Sequence, residues 1–149
     1  MNLPLNKPIK LSILSAPAHL PVVRAALEEL CKEVGFSEDT TGRIILSLDE
    51  ALSNIIKHAY LGADDQPIEV ELTPIGSNGP QGLQMLLRDY GRTVDRSQIK
   101  SRSLHEVRPG GLGVHIMTEC MDEINYRAAP DCGTILTMTK KLPDEEDNR

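Results

Sequence analysis

The chain is expected to form an α/β (α+β) two-layer sandwich, with one mixed, mainly antiparallel sheet and helices on one face. Three observations point there. Segments with period-two alternation open, interrupt and close the sequence. Two long stretches with helical spacing fall between the first such segment and the second. The hydrophobic share is 40% with no Trp and a single Phe, so the core must be aliphatic. Runs of strands separated by grouped helices pack as a sheet covered on one side.

The elements follow in order. Ile9 to Ser15 alternates as a strand. Pro17 to Val34 places Leu20, Val23, Ala26, Leu27, Leu30 and Cys31 at helical spacing, with Gly35 as terminator. Ser37, with Thr40 three residues on, is a weak N-cap for a second helix that runs to about Tyr60. Leu61 to Pro67 reads as a turn region. Ile68 to Leu72 alternates strictly, and Gly82 to Arg88 is its hairpin partner across Ser77-Asn78-Gly79-Pro80. Residues 90 to 110 are polar and long for a compact-domain loop, the kind that is functional or mobile. Leu112 to Met121 reads as a short buried helix, and Glu123–Arg127 and Thr134–Thr139 as a closing hairpin.

With 149 residues, one domain is expected over 1–149, its core about 9–141, with an acidic tail at 143–149. A net charge of −6 without a basic cluster argues against direct nucleic-acid binding. No apolar run approaches the roughly 18 residues of a membrane span, and no signal-peptide core is present, so a cytoplasmic setting is expected. Cys31, Cys120 and Cys132 lack Cys-x-x-Cys spacing, which points away from zinc and from a disulfide scaffold.

Chemistry concentrates in three places. On the second helix, Ile44, Ile45, Leu48, Ala51, Leu52, Ile55 and Ile56 define the apolar face, while Glu50, Asn54 and His58 recur every four residues as a polar line. A carboxylate and a carboxamide one turn apart make a half-site for a hydrated divalent cation carrying phosphates, although a solvated amphipathic face has the same pattern. Asp89 and Gly91 end a hydrophobic strand. Such an acid can accept from an exocyclic amine and such a glycine admits a flat ring, or the pair is a plain turn. In Arg108-Pro109-Gly110-Gly111-Leu112-Gly113, three glycines in four positions precede an apolar helix. That is either a hinge or a wrap for a phosphate at a helix N-terminus.

Together these segments resemble the GHKL ATPase superfamily, and within it the small bacterial anti-sigma-factor serine kinases of partner-switching systems. Glu50-x-x-x-Asn54-x-x-x-His58-Ala59-Tyr60 is similar to that branch's N box, Asp89-x-Gly91 to its first glycine box, Gly110 to Gly113 to its second, and Gly133-Thr134 to its threonine motif. The resemblance spans roughly residues 9 to 141 and implies a Bergerat-type ATP-binding fold. It implies that Asn54 holds Mg²⁺ and that Glu50 is the general base. It further implies that Asp89 reads adenine with Thr134 nearby and that Gly91 leaves room for the base. Gly110, Gly111, Leu112 and Gly113 would line the phosphates, residues 92 to 109 would form a lid, and Arg108 would reach the γ-phosphate. Asp49, about 100° around the helix from Glu50, falls outside such a site.

The implied activity is an ATP-dependent serine/threonine protein kinase that phosphorylates a small STAS-type anti-sigma-factor antagonist and binds a sigma factor, as a homodimer through exposed sheet surface. The alternative is a non-catalytic, nucleotide-dependent binding module. A sensor histidine kinase's catalytic half is disfavoured, because about 40 residues before the N-box helix cannot hold a dimerisation hairpin. Arg24, on the first helix, is either a partner contact or a solvated residue.

Overall fold

The computed structural model describes residues 2–91 and 111–144, with backbone alone over 111–115. The element order is β1 (Ile9–Leu14), α1 (Leu20–Val34), α2 (Glu38–Asn54), β2 (Pro67–Ile75), β3 (Gly82–Asp89), α3 (Gly111–Cys120), β4 (Glu123–Ala128) and β5 (Thr134–Lys141). The five strands form one sheet in the order β1-β2-β3-β5-β4. All four pairings are antiparallel. β3 and β4 run parallel to each other, but β5 returns between them. Among the described residues no parallel ladder therefore forms, where a mixed sheet was expected.

Alternation decides which face is buried. On β2, Ile68, Val70, Leu72 and Pro74 point inward; on β3, Leu83, Met85, Leu87 and Asp89 do the same. Val23, Leu27, Leu30 and Cys31 of α1, with Ile44, Leu48, Ala51 and Leu52 of α2, close over them in one continuous core. α3 lies on the other flank of α2 and reaches β4. The opposite face of the sheet stays partly open and is mostly polar, carrying Ser12, Glu69, Glu71, Gln84, Arg88 and Arg127.

Helix ends follow their local chemistry. Gly35, at φ 104°, ends α1 and donates to the Cys31 carbonyl at 3.0 Å. Ser37 proves a working cap: its Oγ accepts from the Thr40 N–H at 3.1 Å, and Glu38 and Asp39 sit in the positive first turn. The second helix does not run to Tyr60 as an α-helix. After Asn54 it widens into a π-helical turn over Ile55–Ala59, closed by Tyr60 N–H to the Ile55 carbonyl at 3.0 Å. The chain then reverses through Leu61 (φ 51°) and Gly62 (φ 85°). β2 runs three residues past its expected end at Leu72. Its ladder with β1 stops at Leu72; past it the Pro74 carbonyl accepts the Asn6 N–H at 2.6 Å, and the missing proline N–H falls beyond the ladder's end, where it is tolerated.

Candidate functional site

Glu50 and Asn54 occupy successive turns of α2, on the flank away from α1. Both are half-buried, and neither makes a hydrogen bond or ion pair with any described residue. Two nearby polar side chains are engaged. Asp49 accepts from Arg24 Nε at 2.7 Å, which ties α2 to α1, and Ser47 Oγ donates to the Arg43 carbonyl at 3.1 Å. Arg24 is therefore held within the chain rather than free on the helix surface. Glu50 and Asn54 thus form an uncommitted carboxylate–carboxamide pair one turn apart. His58 sits on the exposed side of the π-helical turn.

Asp89 is 4% exposed at the end of β3. Burial raises its carboxyl above the ordinary 3.8, against the opposing pull of the Gly91 and Thr134 backbone N–H groups and of Arg88. The Gly91 N–H donates to Asp89 Oδ1 at 3.0 Å. Gly133, at φ 81°, lets β5 approach closely: a Cβ there would lie 2.0 Å from the Asp89 carbonyl oxygen. Thr134 thereby reaches Asp89 through its backbone. Gly91 is also crowded, since a Cβ would stand 2.6 Å from the Ala59 carbonyl oxygen and 2.8 Å from Ala59 Cβ. What occupies the space spared at Gly91 is the end of the π-helical turn.

The strand end and the helix end are joined by Tyr60. Its hydroxyl donates to the Pro67 carbonyl and accepts the Tyr90 N–H at 2.7 Å. Burial, first, raises the phenol above its ordinary 10.0. Arg88 lies over the Tyr90 ring at 4.5 Å from its centroid.

The site residues therefore divide as follows. The fold brings the α2 segment bearing Glu50 and Asn54 to Asp89, Gly91 and Thr134 through direct contacts between Ala59–Tyr60 and Tyr90–Gly91. Gly111, Leu112 and Gly113 open α3, which packs beside α2, so these glycines fall inside the first helical turn rather than before it. Arg108, Gly110 and the expected lid at 92 to 109 lie outside the described residues, as does most of the acidic tail. Tyr60 and Gly133 both lie in the sequence motifs, but the motifs give the tyrosine no role. Its signal would have been a single buried phenol following a cluster of site residues, since a buried hydroxyl requires partners.

The donor set fits a magnesium–phosphate ligand. Hard oxygen donors are present at Glu50 and Asn54, and no cluster of three or more His, Cys, Asp or Glu exists among the described residues. A cation that keeps waters and phosphates as most of its ligands needs only one or two protein oxygens.

Comparison with known proteins fits this geometry. The sequence matches the family model of the histidine kinase-like ATPase domain over residues 13–140, and the chain belongs to that family. The serine-protein kinase RsbW of Bacillus pumilus is 25% identical over 145 residues, covering 92% of this chain and 87% of that protein. Among solved structures, the RsbU and RsbW domains of a Mycobacterium tuberculosis protein superpose with a TM-score of 0.64 at 18% identity, over 93% of this chain and 34% of that one. A chain of the SiaB–SiaC complex of Pseudomonas aeruginosa gives 0.62 at 12% identity, over 90% of this chain and 89% of that one. The resemblance to GHKL ATPases and their small serine-kinase branch is thus borne out, with the fold that it implied.

Proposed function

We propose that this chain is an ATP-dependent serine/threonine protein kinase of a bacterial partner-switching circuit, acting from residues 1–149 as one nucleotide-binding domain. The observation that carries the reading is the pair of uncommitted side chains, Glu50 and Asn54, on a helix whose end is bonded to the buried Asp89 strand end. The likeness to proteins named serine-protein kinase supports the same class of chemistry.

In this reading Asp89 accepts from the adenine amino group, helped by the water-poor setting that already raises its carboxyl. Asn54 would hold Mg²⁺, which supplies charge neutralisation at the phosphates. Glu50 takes the proton from a substrate serine or threonine hydroxyl. That oxygen then bonds to the γ-phosphorus as the bond to the β–γ bridging oxygen breaks and ADP leaves. Gly110, Gly111, Leu112 and Gly113 would present backbone N–H groups to the phosphates at the start of α3, with Arg108 at the γ-phosphate and residues 92 to 109 closing over it.

The substrate would be a small STAS-type anti-sigma-factor antagonist, and the same protein would bind a sigma factor. The P. aeruginosa neighbour, solved in complex with another protein, supports a partner-binding role. A homodimer through the open sheet face and a cytoplasmic location belong to this reading. No described helix is long and apolar enough to cross a membrane.

The test incubates the purified chain with labelled ATP, magnesium and candidate antagonists encoded beside its gene. Label on a serine or threonine of one of them is the expected result. Nucleotide binding with persistent absence of label would favour the non-catalytic binding module. Absence of any adenine-nucleotide uptake would reject both readings.

A further inference from the structure

The register between β2 and β3 runs Ile68 opposite Asp89, Glu69 opposite Arg88 and Val70 opposite Leu87. Continued one step outward, it would set Pro67 opposite Tyr90. That rung is not made directly. The Tyr60 hydroxyl stands in it, donating to the Pro67 carbonyl and accepting the Tyr90 N–H at 2.7 Å. The phenol is thus a bridging rung of the sheet, delivered from the end of the helix that carries Asn54.

Three features hold it there. The π-helical turn at Ile55–Ala59 widens the helix end toward β3. The left-handed reversal at Leu61 and Gly62 lets Gly62 N–H reach the Ile56 carbonyl at 2.7 Å and Ala63 N–H reach the Tyr60 carbonyl at 2.9 Å. The Ala59 carbonyl occupies the space that a side chain on Gly91 would need. The three residues Asp89, Tyr90 and Gly91 are therefore located by the helix end as much as by the sheet.

We infer that Tyr60 is a positioning residue for base recognition: its hydroxyl, bridging Pro67 and Tyr90, sets where the Asp89 carboxyl and Gly91 backbone stand relative to the Asn54 helix. This rests on the reading that Asp89 recognises adenine. Without the hydroxyl, Pro67 and Tyr90 either close into a direct rung or leave a buried donor and acceptor unpaired. Either outcome moves the strand end by a fraction of the hydroxyl's width. A carboxylate that must meet one exocyclic amine is sensitive to such a shift, whereas phosphate contacts at α3 are not.

The test compares ADP and IDP, whose bases differ where Asp89 would bind: hypoxanthine carries an oxygen in place of the adenine amine. Dissociation constants are measured for wild type, Tyr60→Phe and the core control Ile44→Val. Tyr60→Phe should lower the ADP-over-IDP preference roughly tenfold, about the worth of one well-placed hydrogen bond. Ile44→Val, which weakens the core without touching the strand end, should leave the ratio unchanged. A wild-type preference that survives Tyr60→Phe overturns the inference alone. A wild type that takes both nucleotides equally overturns the Asp89 reading as well. Should Tyr60→Phe fold poorly, hydrogen exchange at the Tyr90 amide of the wild type carries the test. ADP must protect that amide more than IDP does at matched saturation, and equal protection overturns the inference.

Discussion

Asp49 and Glu50 are adjacent carboxylates that the helix turns to opposite flanks. Asp49 faces α1 and is held by Arg24, a pair exposed enough to contribute only about 0.5 kcal/mol. Glu50 is uncommitted. Glu50→Ala should therefore cut phosphotransfer by about a hundredfold or more while leaving nucleotide affinity near wild type. Asp49→Ala should cost only a small shift in the urea midpoint and retain transfer; equal losses in both variants would remove the base assignment. Asp89 offers a prediction with a sign. Its carboxyl is raised in the folded state, so folding retains the proton that the unfolded chain loses above 3.8. The stability from this group is fully present below that value and is lost as pH rises through the folded value. Asp89→Asn should accordingly be more stable than wild type at pH 7 and lose that advantage on acidification below 3.8, read by urea unfolding across pH. The same variant should lose adenine recognition, the usual conflict between stability and function at a site.

At the level of elements, α2 matters most because it joins the core to the candidate chemistry. Ser37 caps its start, and Ser37→Ala should cost about 1 kcal/mol by chemical denaturation. Such a loss acts on the helix as a whole, so it should lower thermal stability without altering the ratio of transfer to binding. How much was legible in the sequence follows from periodicity. The strands were readable because Ile68, Val70 and Leu72 alternate with Glu69 and Glu71, and one face of a half-buried sheet imposes that pattern. The helical face from Ile44 to Leu52 was equally plain. The π-helical turn was not, since Ile55 and Ile56 satisfy an apolar face at either pitch, and the contact of its end with Gly91 is between residues distant in sequence. The extension of β2 through Pro74 was hidden because proline normally ends a strand. It persists here only where β1 has stopped pairing. At the site, residue types and spacing marked Glu50, Asn54 and Asp89. The phenol itself was visible at Tyr60, but its two partners depend on a register between distant strands and leave no local trace.

Across the whole molecule, the sheet and its helices share one core, so ligand binding at one edge must register in global stability. Met85 and Met138, fully buried opposite each other on β3 and β5, sit in that core, and the strand that ends in Asp89 is the same β3. A ligand that binds only the folded state at a hundred times its dissociation constant adds about 2.7 kcal/mol. For a chain of 149 residues, that corresponds to a rise in melting temperature of roughly 5–10 °C. ADP with magnesium should produce such a rise in the wild type, and ADP with a chelator a smaller one. The difference between the two isolates the metal-linked part of binding, because the adenine contacts are common to both. Asn54→Ala should abolish that difference while keeping the chelator-insensitive rise, since it removes a carboxamide oxygen and leaves Asp89, Gly91 and Thr134 in place. Asp89→Asn should do the reverse, shrinking both rises together. If Asn54→Ala instead lowers the two rises in proportion, the carboxamide contributes to nucleotide binding as a whole and is not the residue that holds the metal.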